Sequence, residues 1–200
     1  MTNKEIEKFM AHCERFFGQS EQIIMHPVVM EPHVDILVYP PNQKFDFWKL
    51  VTMGASDYKM PPQKYSLGDR NEYMMFVRTD KDLSQKENAD PYCKYLWDVA
   101  LYPAQNHQAV SYGHSIEFPP EEGSEMVTAF LEMPQILEDI RVLRCKTGLF
   151  KTIICLQIVL LNRVETDKLL EIGPQAFSDY LYPEEGRPHF LSELDRSELF

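Results

Sequence analysis

Residues 32–60 constrain the fold more than any other stretch of this chain. His33, Val34, Asp35, Ile36, Leu37, Val38 and Tyr39 begin polar and become an apolar run that stops at Pro40-Pro41. Phe45, Asp46, Phe47, Trp48, Lys49, Leu50, Val51 and Thr52 then alternate large apolar side chains with polar ones. A period of two sends successive side chains to opposite faces, so this second segment reads as a half-buried strand. Pro40, Pro41, Asn42 and Gln43 supply the turn between the two strands. A loop over residues 53–60 follows, and Pro61-Pro62 closes the unit. A hairpin of this kind commits the chain to a sheet.

The flanking sequence adds helices to it. Ile6, Phe9, Met10, Cys13, Phe16 and Phe17 recur at helical spacing and give residues 2–17 one apolar face. Thr2 and Glu5 have the spacing of a capping box, and Gly18 can stop the helix. Residues 22–29 are a short apolar run suited to a first strand. Residues 72–78 read as another strand, and residues 79–89 as a charged surface connection. Asp90-Pro91 predicts the start of a second helix, with Tyr92, Tyr95, Leu96 and Val99 facing inward, ending before Pro103. Strands are expected over 109–118 and 126–131, with a short strand or turn at 140–144. Residues 149–161 are rich in Ile, Leu and Val with few charges, which predicts a central strand buried on both faces. Thr166-Asp167 can cap a helix running to Ile172 with Gly173 as its stop. Pro174 restarts helix through Leu181. The tail after Tyr182 is expected to pack loosely. The pattern is α+β: one domain over residues 1–200, with helices packed on a mixed or antiparallel central sheet, a core over about 22–182 and a tail over 183–200.

Charge narrows the choice of partner. The formal net charge is −11, the wrong sign for direct contact with nucleic-acid phosphates. No Lys or Arg occurs between Lys94 and Arg141, while Asp98, Glu117, Glu121, Glu122, Glu125, Glu132, Glu138 and Asp139 all lie there. Ordinary surfaces intersperse both signs. A one-signed interval reads either as a solvated face or as a landing site for a basic protein, centred on Glu117, Glu121, Glu122 and Glu125. No apolar run approaches the length of a membrane span, and the first residues lack the layout of a secretory signal, so a cytoplasmic location is expected.

Catalytic and metal motifs are incomplete. Gly54-Ala55-Ser56-Asp57-Tyr58 begins like a hydrolase nucleophile elbow, but Tyr58 stands where the turn requires glycine, and Pro61-Pro62 forbids the helix that should follow. Gly148-Leu149-Phe150-Lys151-Thr152 lacks the glycines of a phosphate loop. Cys13, Cys93, Cys145 and Cys155 include no C-x-x-C pair, which argues against a zinc site or a disulfide framework and for buried thiols. His33 with Asp35, and His114, form an acid–base group only if the fold brings them together. The expectation is therefore no catalytic residue, no metal and no cofactor.

Several segments together resemble one family. Leu50-Val51-Thr52-Met53-Gly54-Ala55-Ser56 with Met60, then Asn71-Glu72-Tyr73-Met74-Met75-Phe76, resemble two consecutive strands of the suppressor-of-fused domain. Trp97, Leu101-Tyr102-Pro103 and Tyr112-Gly113-His114-Ser115-Ile116 resemble its middle segment. Leu131-Glu132-Met133-Pro134, residues 157–163 and residues 168–173 resemble its last third. The resemblance spans roughly residues 26–182. It implies a suppressor-of-fused-like α+β fold and a binding domain rather than an enzyme. It marks Thr52, Gly54, Ser56, Glu72, Gly113 and His114 as structural or site-adjacent positions. Large members hold a transcription-factor segment between two lobes, and this chain resembles the N-terminal lobe alone. Short stand-alone members resemble immunity or antitoxin proteins that silence a cognate toxin, often a nuclease. The expected partner is thus a basic protein toxin. The alternatives are an adaptor that binds a peptide strand at a sheet edge, and a hydrolase using His33, Asp35 or His114, whose side chains would have to converge in one pocket. Oligomeric state is left open.

Overall fold

The computed structural model describes residues 1–27, 31–119, 125–135, 137, 139–183 and 189–194. In chain order the elements are α1 (Asn3–Phe17), β1 (Gln22–Ile24), β2 (Asp35–Tyr39), β3 (Trp48–Met53), a 3-10 turn (Ala55–Asp57), β4 (Asn71–Val77), α2 (Lys86–Asn106), β5 (Ser115–Glu117), β6 (Thr128–Glu132), a second 3-10 turn (Ile140–Leu143), β7 (Arg144–Lys146), β8 (Thr152–Leu161), α3 (Arg163–Ile172) and α4 (Pro174–Leu181). The strands form one sheet in the order β1-β2-β3-β4-β8-β6-β5, and β7 also pairs with β8. Every pairing is antiparallel except that of β4 with β8. The fold is the α+β arrangement expected.

β8 is its spine. It pairs with β4 along one side, and with β7 and then β6 along the other. Nine of its ten residues are buried, as an unbroken apolar run requires when both faces of a strand are covered. Alternate residues serve two cores. Ile154, Leu156, Ile158 and Leu160 join Leu96, Val99 and Ala100 of α2 on one face. Ile153, Cys155, Val159 and Leu161 join Phe9, Cys13 and Phe17 of α1 and Phe177 and Leu181 of α4 on the other.

Several boundaries differ from the sequence reading, each for a physical reason. β3 is buried at every position rather than alternately, because helices cover both sides of the sheet, so Lys49 and Thr52 lie inside. α2 starts at Lys86 and carries Pro91 and Pro103 within it. Its inward face (Tyr92, Cys93, Leu96, Val99, Ala100) packs on the sheet along its length, and that burial outweighs two missing backbone donors. The strand expected over 109–118 shrinks to β5, because the backbone turns at Gly113 (φ 82°). The strand expected from 22 stops at Ile24, and Val28 and Val29 lie outside the described residues. α3 is capped by Asn162 and Glu165 in a reciprocal box, one turn earlier than Thr166-Asp167. The loose tail is also a misreading for residues 189–194. Phe190 and Ser192 are buried, Ser192 N–H donates to Phe76 O at 2.7 Å, and Ser192 bridges Val77 in parallel.

Candidate functional site

The pairings place the starts of β2, β4, β5 and β8 and the ends of β3 and β6 at the same end of the sheet. All six positions singled out by resemblance fall along that end.

Four of them make one structure around Glu72, whose side chain is fully buried. Thr52 Oγ1 donates to its carboxylate at 2.7 Å, and the N–H groups of Gly54, Ala55 and Ser56 donate at 2.8, 3.2 and 3.0 Å. These N–H groups belong to the first turn of the 3-10 segment, which has no partner of its own for them, so the carboxylate serves as its cap. Burial pushes the Glu72 carboxyl upward, and the donors pull against it. Thr52 Oγ1 also accepts Tyr73 N–H at 2.8 Å, standing in for a backbone carbonyl where β3 leaves β4. Gly54 cannot be another residue: its φ is +123°, and a Cβ there would lie 2.0 Å from His33 O.

The other end of the 3-10 segment is held by residues that sequence reasoning missed. Arg70 Nη1 donates to Ser56 O at 2.7 Å and Asp57 O at 3.0 Å. Lys151 Nζ reaches Asp57 at 3.0 Å and Glu5 at 3.5 Å, and the Met1 amino group also meets Asp57. Burial drives the Asp57 carboxyl upward, but these two cations outweigh it and hold it low. The only prior signal was the basic residue type, since each partner comes from a distant segment.

His33 Nε2 lies 3.1 Å from Asp35 Oδ1, and Trp97 Nε1 donates to Val34 O between them at 3.0 Å. Gly113 and His114 lie elsewhere. Gly113 N–H donates to Leu131 O, and His114 O accepts Leu131 N–H, each at 2.8 Å. The His114 ring faces Gln63, Nε2 to Nε2 at 3.3 Å, in an open polar pocket of about 510 Å³ that also includes Pro61, Tyr102, Gln108 and Ile116. β2 and β5 are five steps apart in the sheet order, roughly 24 Å at the usual strand spacing. His33 and Asp35 therefore meet, but His114 does not join them, and the acid–base trio of the hydrolase alternative is not assembled.

The acidic positions are partly described. Glu117 and Glu125 are exposed. Arg163 Nη1 donates to Glu117 at 2.8 Å, so a cation from α3 enters an interval that has none in sequence. Glu121 and Glu122 lie outside the described residues. The four cysteines are buried free thiols. Burial pushes Cys93 up to about 12 and Cys145 up to about 11, so they stay protonated. Among the described residues no group of three His, Cys, Asp or Glu side chains is arranged to hold a metal ion, and no helix is long and apolar enough to cross a membrane.

Beside this end lies a slot of about 310 Å³ under the segment joining β6 to β7, which nothing in the sequence pattern announced.

Known structures share this architecture. A putative suppressor-of-fused homolog from Neisseria gonorrhoeae superposes with a TM-score of 0.68 at 10% identity, covering 97% of this chain and 96% of that one. A crystal structure described as the Sufu–Fu complex gives 0.69 at 14% identity, covering 97% and 91%. Drosophila Suppressor of Fused gives 0.69 at 14% identity, with 98% of this chain covering 51% of that one. No curated protein sequence matches. The family model for suppressor of fused protein matches residues 30–196. With that match spanning most of its length, the chain belongs to the suppressor-of-fused family.

Proposed function

We propose that this chain is a protein-binding domain that acts by stoichiometric association with a basic partner, and that it serves as a cytoplasmic immunity or antitoxin protein against a cognate toxin, such as a nuclease. The observation that carries this reading is the interval without Lys or Arg between Lys94 and Arg141 in a chain of net charge −11, with Glu117 and Glu125 of that interval exposed. A nuclease must be basic to hold phosphate, and an acidic inhibitor complements the same surface. A family relative is described in complex with a protein partner. The test is co-expression with the product of the adjacent gene, followed by affinity measurement over a salt series. A complex that weakens steeply with salt supports the reading; no complex at low salt overturns it.

A second reading has its own observation. β5 is one of the two edge strands of the sheet order and is paired with β6 alone among the described residues, so its outer edge can accept a peptide strand. That mode depends on backbone hydrogen bonds, so affinity for an extended peptide with little salt dependence would favour it.

A further inference from the structure

The slot beside the β6–β7 segment has apolar walls, formed by Leu137, Ile140, Val142 and Leu143. Tyr112, Gln135 and Gln175 give it a polar side. Behind that side stands Glu132, the last residue of β6. Its side chain is fully buried, and Oε2 has no hydrogen-bond partner. Oε1 accepts Met133 N–H at 2.7 Å and Gln135 Nε2–H at 3.3 Å, from two residues that line the slot. Burial pushes the Glu132 carboxyl upward and the nearby Asp179 anion adds to this, against the pull of the Ser178, Met133 and Gln135 donors. A buried carboxyl oxygen left without a partner is costly, and a cation beside it offsets that cost.

Gln135 shows where that cation belongs. The residue is exposed, and its carboxamide nitrogen donates at once to Glu132 Oε1 and to Ser178 Oγ at 2.9 Å. An ammonium nitrogen in that place, with three donors and a full charge, would bond the same two oxygens. The four-carbon stem of a lysine is apolar and would lie along Leu137, Val142 and Leu143. We infer that the slot receives a lysine side chain of the basic partner, its stem against the apolar walls and its ammonium at Glu132 in place of the Gln135 carboxamide. This inference rests on the proposed binding of a basic protein and gives it a specific anchoring point.

The test separates the two. Methyl-labelled protein is titrated with Nα-acetyl-lysine methylamide, and with the norleucine analogue as the uncharged control. Shifts at the Leu137, Ile140, Val142 and Leu143 methyls that saturate with the lysine probe alone, and that weaken about tenfold or more in Glu132→Gln, support the slot. No shift, equal shifts with norleucine, or shifts unchanged in Glu132→Gln overturn it. Should Glu132→Gln fail to fold, Ile140→Trp, at an exposed position on the wall, fills the slot and must abolish the shifts. A partner that binds Ile140→Trp as tightly as wild type overturns the slot and leaves stoichiometric binding standing. Absence of any basic partner removes that reading instead, whatever the probe does.

Discussion

Glu72 and Arg70, two residues apart at the start of β4, hold opposite ends of the same 3-10 segment. Glu72 accepts the N–H groups of Gly54, Ala55 and Ser56, and Arg70 donates to the carbonyls of Ser56 and Asp57. An anion at the N-terminal end and a cation at the C-terminal end match the dipole of the turn. The loop that leaves β3 is therefore fixed from both sides by the next strand.

Glu72→Gln tests this clamp. The amide has nearly the same volume, but its NH₂ would face Thr52 and backbone donors that already point at it. Donors would be left buried and unpaired, at a cost of about 3–5 kcal/mol. Urea unfolding should show a midpoint lowered by that free energy divided by the slope, with little change in the slope itself.

Gly54→Ala should be comparably severe. The left-handed φ and the approach of His33 O leave no room for a Cβ. The chain must shift where the β2 start and the β3 end meet, and a loss of about 3 kcal/mol or more is expected. Thermal melting measures it; a fully stable variant would show that the loop is free to move.

Lys49 gives a pH dependence. It is fully buried, its ammonium bonds Pro40 O, and it lies 5.9 Å from the Phe47 ring centroid and 6.0 Å from that of Phe45. Burial pulls its pKa down from 10.5 to about 8. Between those values the unfolded chain binds the proton and the folded chain does not. Stability from this group therefore rises with pH across that window, and is lost as pH falls through about 8. Lys49→Met removes the buried charge. It should stabilise the protein by about 1 kcal/mol at neutral pH, and its advantage over wild type should fade above pH ~10.

The sequence carried some of this plainly and some not at all. Thr2 with Glu5 marked α1, and the run through Ile158 marked the spine of the sheet, because both signals are local. α2 reads as shorter in the sequence because Pro91 and Pro103 are local signals too, and long-range burial overrules them. Glu72 is marked in the sequence only by resemblance. Its donors lie 16 to 20 residues earlier in the chain, and no spacing rule links a lone glutamate to them. Arg70, Lys151 and the slot at Glu132 depend on contacts made after folding, so the residue order gave no mark of them.

Arg163 provides a test of the charge argument that does not disturb the core. Its pair with Glu117 is exposed on both sides, and such pairs contribute about 0–1 kcal/mol. Arg163→Gln should leave the melting temperature almost unchanged while freeing an anion in the acidic interval. If a basic partner is steered there, its association rate at low salt should rise, and the gain should vanish at high salt. An unchanged rate would place the encounter elsewhere on the surface.

Phe190, Leu191 and Ser192 belong to the core, and Phe190 shows why. Its ring stacks on Tyr182 at 5.2 Å and meets Phe47 and Phe76 edge-on at 5.9 and 6.2 Å. Its carbonyl accepts Gln157 Nε2–H at 3.0 Å, and Tyr182 OH donates to Gln157 Oε1 at 2.9 Å, so the aromatic stack also satisfies the one polar side chain within the apolar run of β8. Deleting the ring would leave a cavity among Phe47, Phe76 and Tyr182. Phe190→Ala is expected to cost about 3–5 kcal/mol. Truncation after residue 188 should cost more, because it also strips Gln157 of its acceptor and removes the Ser192 bridge to β4. A truncated chain that melts at the wild-type temperature would mean that these contacts do not stabilise the fold.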